Sequence, residues 1–282
     1  MRCDCHIHML LDGAYWRTAI ARHSDSPDLS FIHAALKTYQ NQGFTYLRDG
    51  GDRWGAGLTA RELASQYGIT YRTPLSPLHL QGHYGSFIGT AFANLKEYAA
   101  LVRSHRDQGA DFIKIMISGL MDFHHWGVLT EEGLPPEMIR QLIHIAHEEG
   151  FSVMAHANGA RTVQAAAEAG VNSIEHGAYL DSDALSAMAE NRVIWVPTLS
   201  TIANLLETDR FPHKEVSAIL ETALENVSQY TQMGGLLAPG TDAGAYAVPH
   251  GILSEYQLFE NLFGEEADAR LQPGITALQA QF

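Results

Sequence analysis

Apolar positions along the chain follow two alternating rhythms. Short runs rich in Val, Ile, Phe and Tyr give way to longer stretches in which apolar residues recur every three or four positions. The short runs predict eight strands, at residues 2–9 (RCDCHIHM), 44–50 (FTYLRDG), 69–76 (ITYRTPLS), 111–118 (DFIKIMIS), 151–157 (FSVMAHA), 172–178 (NSIEHGA), 193–200 (VIWVPTLS) and 236–243 (LLAPGTDA). The longer stretches predict helices, among them residues 93–109, 135–150, 159–170, 181–192 and 214–235, several of which end in glycine, a common helix stop. Strands alternating with helices argue for a parallel α/β sheet, and eight such units closed on themselves make a (β/α)8 TIM barrel. An open doubly wound sheet is the competitor, but the first strand-to-helix turn reads LLDGAYW and lacks the Gly-x-Gly-x-x-Gly of that fold. No Pro/Ser-rich or low-complexity linker interrupts the alternation, so one domain spanning residues 1–282 is expected.

The barrel reading carries a chemical test, because reactive side chains of such folds sit at the C-terminal ends of the strands. In an extended first strand Asp4, His6 and His8 share one face, while Cys3, Cys5 and Ile7 share the other. His6 and His8 end that strand, Lys114 lies within the fourth, His156 and His176 end the fifth and sixth, and Asp242 closes the last. Closure would gather all of them around one mouth, and four histidines with an aspartate are ordinary ligands for zinc or a related divalent ion. Lys114 stands out because Phe112, Ile113, Ile115 and Met116 flank it. A buried ammonium is costly to desolvate, so burial favours the neutral amine, which can take up CO2 as an anionic carbamate able to bridge two cations. A snorkelling lysine paired with a carboxylate is the alternative.

Composition narrows the classes of partner. Hydrophobic residues make up 46% and charged residues 18%, a globular profile, and the net charge of −14 disfavours nucleic-acid phosphates and anionic membrane surfaces. A small-molecule substrate fits better. No run of about 20 apolar residues could span a bilayer, and the N-terminus has no basic-then-apolar leader, so a cytoplasmic location is expected. The two cysteines, Cys3 and Cys5, lie two apart on an extended backbone that disfavours a disulfide between them, and read as packing residues beneath a helix.

With these residues in place, the chain resembles the amidohydrolase superfamily from Asp4 to about His250. That family's His-x-His on strand one, Lys on strand four, His on strands five and six and Asp on strand eight are matched by His6, His8, Lys114, His156, His176 and Asp242. Residues 146–200 resemble the branch holding imidazolonepropionase-like hydrolases and the Xaa-Pro or N-acyl-amino-acid hydrolases. The resemblance implies a binuclear centre: His6, His8 and Asp242 on one ion, His156 and His176 on the other, and carboxylated Lys114 bridging them with a hydroxide. Two zinc ions are the first expectation, with manganese, iron or cobalt able to serve. It further implies a metal-dependent hydrolase that cleaves a C–N amide bond in a dipeptide, N-acyl amino acid or cyclic amide, with Asp242 as catalytic base and then acid. Hydrolysis of a lactone, ester or phosphotriester by the same centre is the alternative, and a metal- or ligand-binding barrel without turnover is the alternative from another class.

Substrate contacts are expected from the loops after the strands. His83 and Tyr84 follow the third strand, His125 and Trp126 lie in the long loop after the fourth beside His124, and Tyr246 and His250 follow the last. Asn158 stands where many peptidase-like relatives carry a tyrosine that helps hold a substrate carboxylate; Arg48 and Arg161 could substitute, or make only surface pairs. Relatives usually flank the barrel with a small β-sandwich. Only Met1 and Arg2 precede the first strand here, and residues 269–282 read as the beginning of the usual post-barrel helix, so a barrel lacking most or all of the sandwich is expected. Its uncovered ends are a modest argument for a homo-oligomer.

Overall fold

The computed structural model describes residues 2–282. Its strands are β1 (Arg2–Ile7), β2 (Phe44–Asp49), β3 (Thr70–Arg72), β4 (Leu78–Leu80), β5 (Thr90–Phe92), β6 (Ile113–Met116), β7 (Val153–Ala157), β8 (Ser173–His176), β9 (Ile194–Val196) and β10 (Leu236–Leu237). They pair in parallel, in the orders β1-β2-β3 and β10-β9-β8-β7-β6-β4-β5. Backbone hydrogen bonds join the two groups at both seams. Cys5 N donates to Pro239 O at 2.8 Å and Asp242 N to His6 O at 2.7 Å on one side, and Asp111 N donates to Thr73 O at 3.0 Å on the other. The result is the parallel α/β barrel that the strand–helix alternation predicts, a fold that buries both faces of its strands. Val153–Ala157 is accordingly buried at every position.

The third predicted strand is the one the structure revises. Only Thr70–Arg72 is extended there, and two further strands, β4 and β5, occupy the segment that follows. Pro74 and Pro77 explain the break: proline offers no N–H to a ladder, and Leu75 between them turns to a φ of 68°.

The helices singled out from periodicity fall where expected, at Leu95–Asp107, Pro136–Glu148, Ala160–Glu168, Ser182–Glu190 and His213–Gln232. Asn94 and Asp181 cap two of them by accepting from Glu97 N and Ala184 N. Residues 269–281 belong to a helix, Ala267–Gln281, that packs against β10. Its approach is close enough that a Cβ at Gly274 would lie 1.9 Å from Leu237 O, so this helix reaches the strand only because residue 274 is glycine. At its end the Phe282 ring packs 5.2 Å from that of Phe112 under the barrel. Cys3 and Cys5 are buried and unpaired, and Gln279 of this helix donates to Cys3 Sγ at 3.4 Å, as expected for packing residues beneath a helix. Among the described residues no helix is long and apolar enough to cross a membrane.

Candidate metal centre

β1 is held on both sides, by β2 and by the chain that leaves β10, and this fixes the residues at its end. Asp4 anchors the second neighbour, accepting from Thr241 N at 2.8 Å and Thr241 Oγ1 at 2.6 Å. The hydrogen bonds Asp242 N to His6 O and His8 N to Ala243 O then set Asp242 beside both histidines. Asp242 Oδ1 lies 3.6 Å from His6 Nε2 and 3.4 Å from His8 Nε2. One ligand atom from each of the three falls within 4.8 Å of the others, and Asp242 Oδ1 has no hydrogen-bond partner. Three electron-pair donors converging in a buried place, one of them orphaned, fit a divalent cation.

The other members surround this trio. The His176 ring centroid is 5.1 Å from that of His6 and 4.5 Å from that of His156, and Lys114 is buried with no partner for Nζ. The outer nitrogen of three rings is committed. His6 Nδ1 donates to Glu175 Oε2 at 2.8 Å, His156 Nε2 to Gly119 O at 3.1 Å, and His176 Nδ1 meets Thr198 Oγ1 at 2.7 Å. Such partners fix tautomer and ring orientation, the usual support of a metal-binding imidazole. Backbone strain gathers here as well, with φ of 69° at His176, 49° at Thr198 and 57° at Asp242. The turn at His176 breaks strand alternation, so that Glu175 and His176, adjacent in sequence, both reach His6.

Burial sets the electrostatics. It lowers His8 and His156 to about 3, and His6 and His176 well below the ordinary imidazole value, so all four rings are neutral and able to bind a cation. Desolvation also pulls the Lys114 ammonium down and pushes the Asp242 carboxyl up. The position of His8 depends on Gly50, where a Cβ would lie 2.2 Å from His8 Cε1. Gly50→Ala is therefore expected to displace this ring and destabilise the protein by about 1–3 kcal/mol. Thermal melting and metal titration check this; an unshifted melting temperature would show that the ring has room to move.

The loop residues expected to meet substrate divide sharply. Tyr84 lies at the centre, its ring 4.8 Å from that of His156, and Glu131 holds the preceding turn by accepting from Tyr84 N at 2.9 Å and pairing with His83. His125 pairs with Asp122 at the surface. Trp126 is 52% exposed and rests on Tyr179 and Thr222 rather than over the histidines. Tyr246 stacks under Arg210, whose guanidinium carbon is 4.2 Å from the ring centroid. In His250, also expected to meet substrate, Nδ1 is 3.0 Å from Tyr39 Oη and Nε2 donates to Leu11 O at 2.9 Å, so both nitrogens brace the loop after β1. Asn158 is also structural, donating to Gly119 O and accepting from Ala178 N.

Arg48 overturns the surface-pair reading. It is fully buried, and Nη2 donates to Glu175 Oε1 at 2.7 Å. Arg161 is exposed. Sequence reasoning missed Glu175 altogether, although the signal was the one that exposed Lys114: a charge set inside an apolar strand, here in SIEH. Thr198 and Glu131 carried no comparable signal.

Comparison with known proteins adds the following. A family model described as "Amidohydrolase family" matches residues 4–262. Ochratoxinase from Aspergillus niger is 24% identical over 285 residues, covering 85% of this chain and 56% of that protein, so the chain spans little more than half the length of this relative. Among solved structures, a Xaa-Pro dipeptidase with bound methionine in its active site superposes with a TM-score of 0.76 at 22% identity, covering 99% of this chain and 75% of the other. The A. niger ochratoxinase structure superposes with a TM-score of 0.77 at 20% identity, covering 99% and 70%.

Proposed function

The chain belongs to the amidohydrolase family, and from that premise we propose that it is a metal-dependent hydrolase that cleaves the C–N amide bond of a small molecule, namely a dipeptide, an N-acyl amino acid or a cyclic amide. The observation that carries this reading is the convergence of His6, His8 and the orphaned Oδ1 of Asp242. In it, those three residues would hold one divalent ion, zinc foremost, and His156 and His176 would hold a second. Lys114, with its unpartnered Nζ, would take up CO2 with loss of a proton and offer the carbamate as a further ligand. Bound there, the ions would supply Lewis acidity, lowering the pKa of water and polarising the scissile carbonyl. The Asp242 carboxylate, its Oδ1 turned to the ion, would accept the proton of the attacking water at Oδ2 and return it to the leaving nitrogen. Tyr84, packed on His156, faces the substrate beside the centre. The names of the dipeptidase and ochratoxinase relatives favour amides over other acyl compounds.

The test is a metal count on purified protein followed by a screen of dipeptides, N-acyl amino acids, lactones and phosphotriesters. Close to two ions per chain and turnover confined to amides are expected. Turnover of lactones or phosphotriesters alone would overturn the amide assignment, and metal-loaded protein inert toward all four classes would overturn the enzymatic one.

A further inference from the structure

We propose that Glu175 and Arg48 are positioning residues that act through His6 and make its ion the tighter held of the two; the inference rests on the metal-centre reading above. β1 and β8 are not neighbours in the sheet, so the contact between His6 and Glu175 crosses the barrel interior. Both carboxylate oxygens of Glu175 are used. Oε2 accepts from His6 Nδ1 at 2.8 Å, and Oε1 accepts from Arg48 Nη2 at 2.7 Å and Ser173 Oγ at 2.6 Å. Arg48 is itself locked, with Nε donating to Cys5 O at 2.7 Å and Nη1 to Ser173 Oγ at 2.9 Å. Beneath it the Phe282 ring centroid lies 4.5 Å from the guanidinium carbon. Glu175, Arg48 and Ser173 are all buried without measurable exposure.

A carboxylate fastened on three sides has one orientation to offer His6. It keeps the proton on Nδ1 and leaves Nε2 facing His8 and Asp242, and a charged acceptor at Nδ1 makes the imidazole a stronger donor to a cation. Arg48 offsets the cost of burying that carboxylate, which an unpaired group could not meet. His156 and His176 lack this support: their outer nitrogens meet a backbone carbonyl and a hydroxyl, both neutral. Two unequal ion positions follow, with the stronger at His6.

The experiment loads the full chain with Co2+ and resolves two dissociation constants by competition with a chromophoric chelator, recording the Co2+ ligand-field absorption throughout. Two unequal constants are expected for the wild type. Glu175→Gln should weaken the tighter one by about 10–100-fold and shift the absorption bands, leaving the weaker constant unchanged. Arg48→Lys should act on the same constant, less strongly. General destabilisation would weaken both constants together and would overturn the positioning role, as would unchanged constants and bands in folded Glu175→Gln. If Glu175→Gln does not fold, Ser173→Ala, which removes a single hydroxyl from the clamp, decides the question by the same criterion. A wild type that binds no ion would remove the metal-centre reading itself, whereas two ions bound equally by wild type and variants would remove only this inference.

Discussion

Asp242→Asn should lower kcat by about 10²–10⁴-fold, the range over which a positioned acid–base group acts, with KM little changed. The two oxygens of this carboxylate have different work. Asp242 Oδ1 lies within 3.6 Å of both His6 Nε2 and His8 Nε2 with no hydrogen-bond partner, where a cation would sit, which leaves Oδ2 to take the proton. Asparagine preserves the shape, keeps an oxygen with lone pairs, and tolerates the φ of 57° at this position. It cannot carry the proton from water to the leaving nitrogen. The measurement needs steady-state kinetics at saturating metal, with the bound ions counted in both proteins. Undiminished kcat in a fully loaded variant would end the proton-transfer role, and a loss recovered simply by adding metal would reassign Asp242 to ligation alone.

How far the sequence discloses such a site depends on what kind of fact each residue contributes. Strand position is legible: two-residue alternation places His6 and His8 together, and the apolar flanks of Lys114 and His156 mark strands that must lie inside. Hydrogen-bond partnership is not. Nothing in GAYAVPHG says that both nitrogens of His250 are taken by Tyr39 and Leu11, because those partners arrive from elsewhere in the chain only on folding. Arg48 was misread for the same reason in reverse. An arginine in FTYLRDG resembles a surface residue until β8 delivers Glu175 to it across the barrel. The third strand failed locally instead: prolines at 74 and 77 remove ladder donors, which the apolar pattern of ITYRTPLS does not reveal. Of the loop residues only Tyr84 is drawn to the histidines. Trp126 shows why apolar character is a poor guide there, since an exposed indole can settle on any neighbouring loop, here Tyr179.

Lys114→Met should reverse the order of stability between the metal-free and metal-loaded proteins. In the metal-free chain Nζ is buried without a partner, an arrangement that costs about 1–3 kcal/mol. Methionine fills nearly the same volume in this buried place with no polar atom to desolvate, so the metal-free variant should melt several degrees above the metal-free wild type. Metal then acts in the opposite sense. An ion present at about 1,000 times its dissociation constant adds roughly 4 kcal/mol to the folded state, and the wild type, with a residue able to bridge both positions, should collect that contribution twice. The variant, left with His6, His8 and Asp242 for one ion and two histidines for the other, should retain no more than one. Melting curves of four samples, each protein with chelator and with excess metal, check the crossover, and a metal count on the loaded pair checks its cause. A metal-free variant that melts below the wild type would mean that Nζ is stabilising as it stands, the expectation for a lysine paired with a carboxylate. A loaded variant that keeps both ions would remove Lys114 from the centre, whatever its melting temperature.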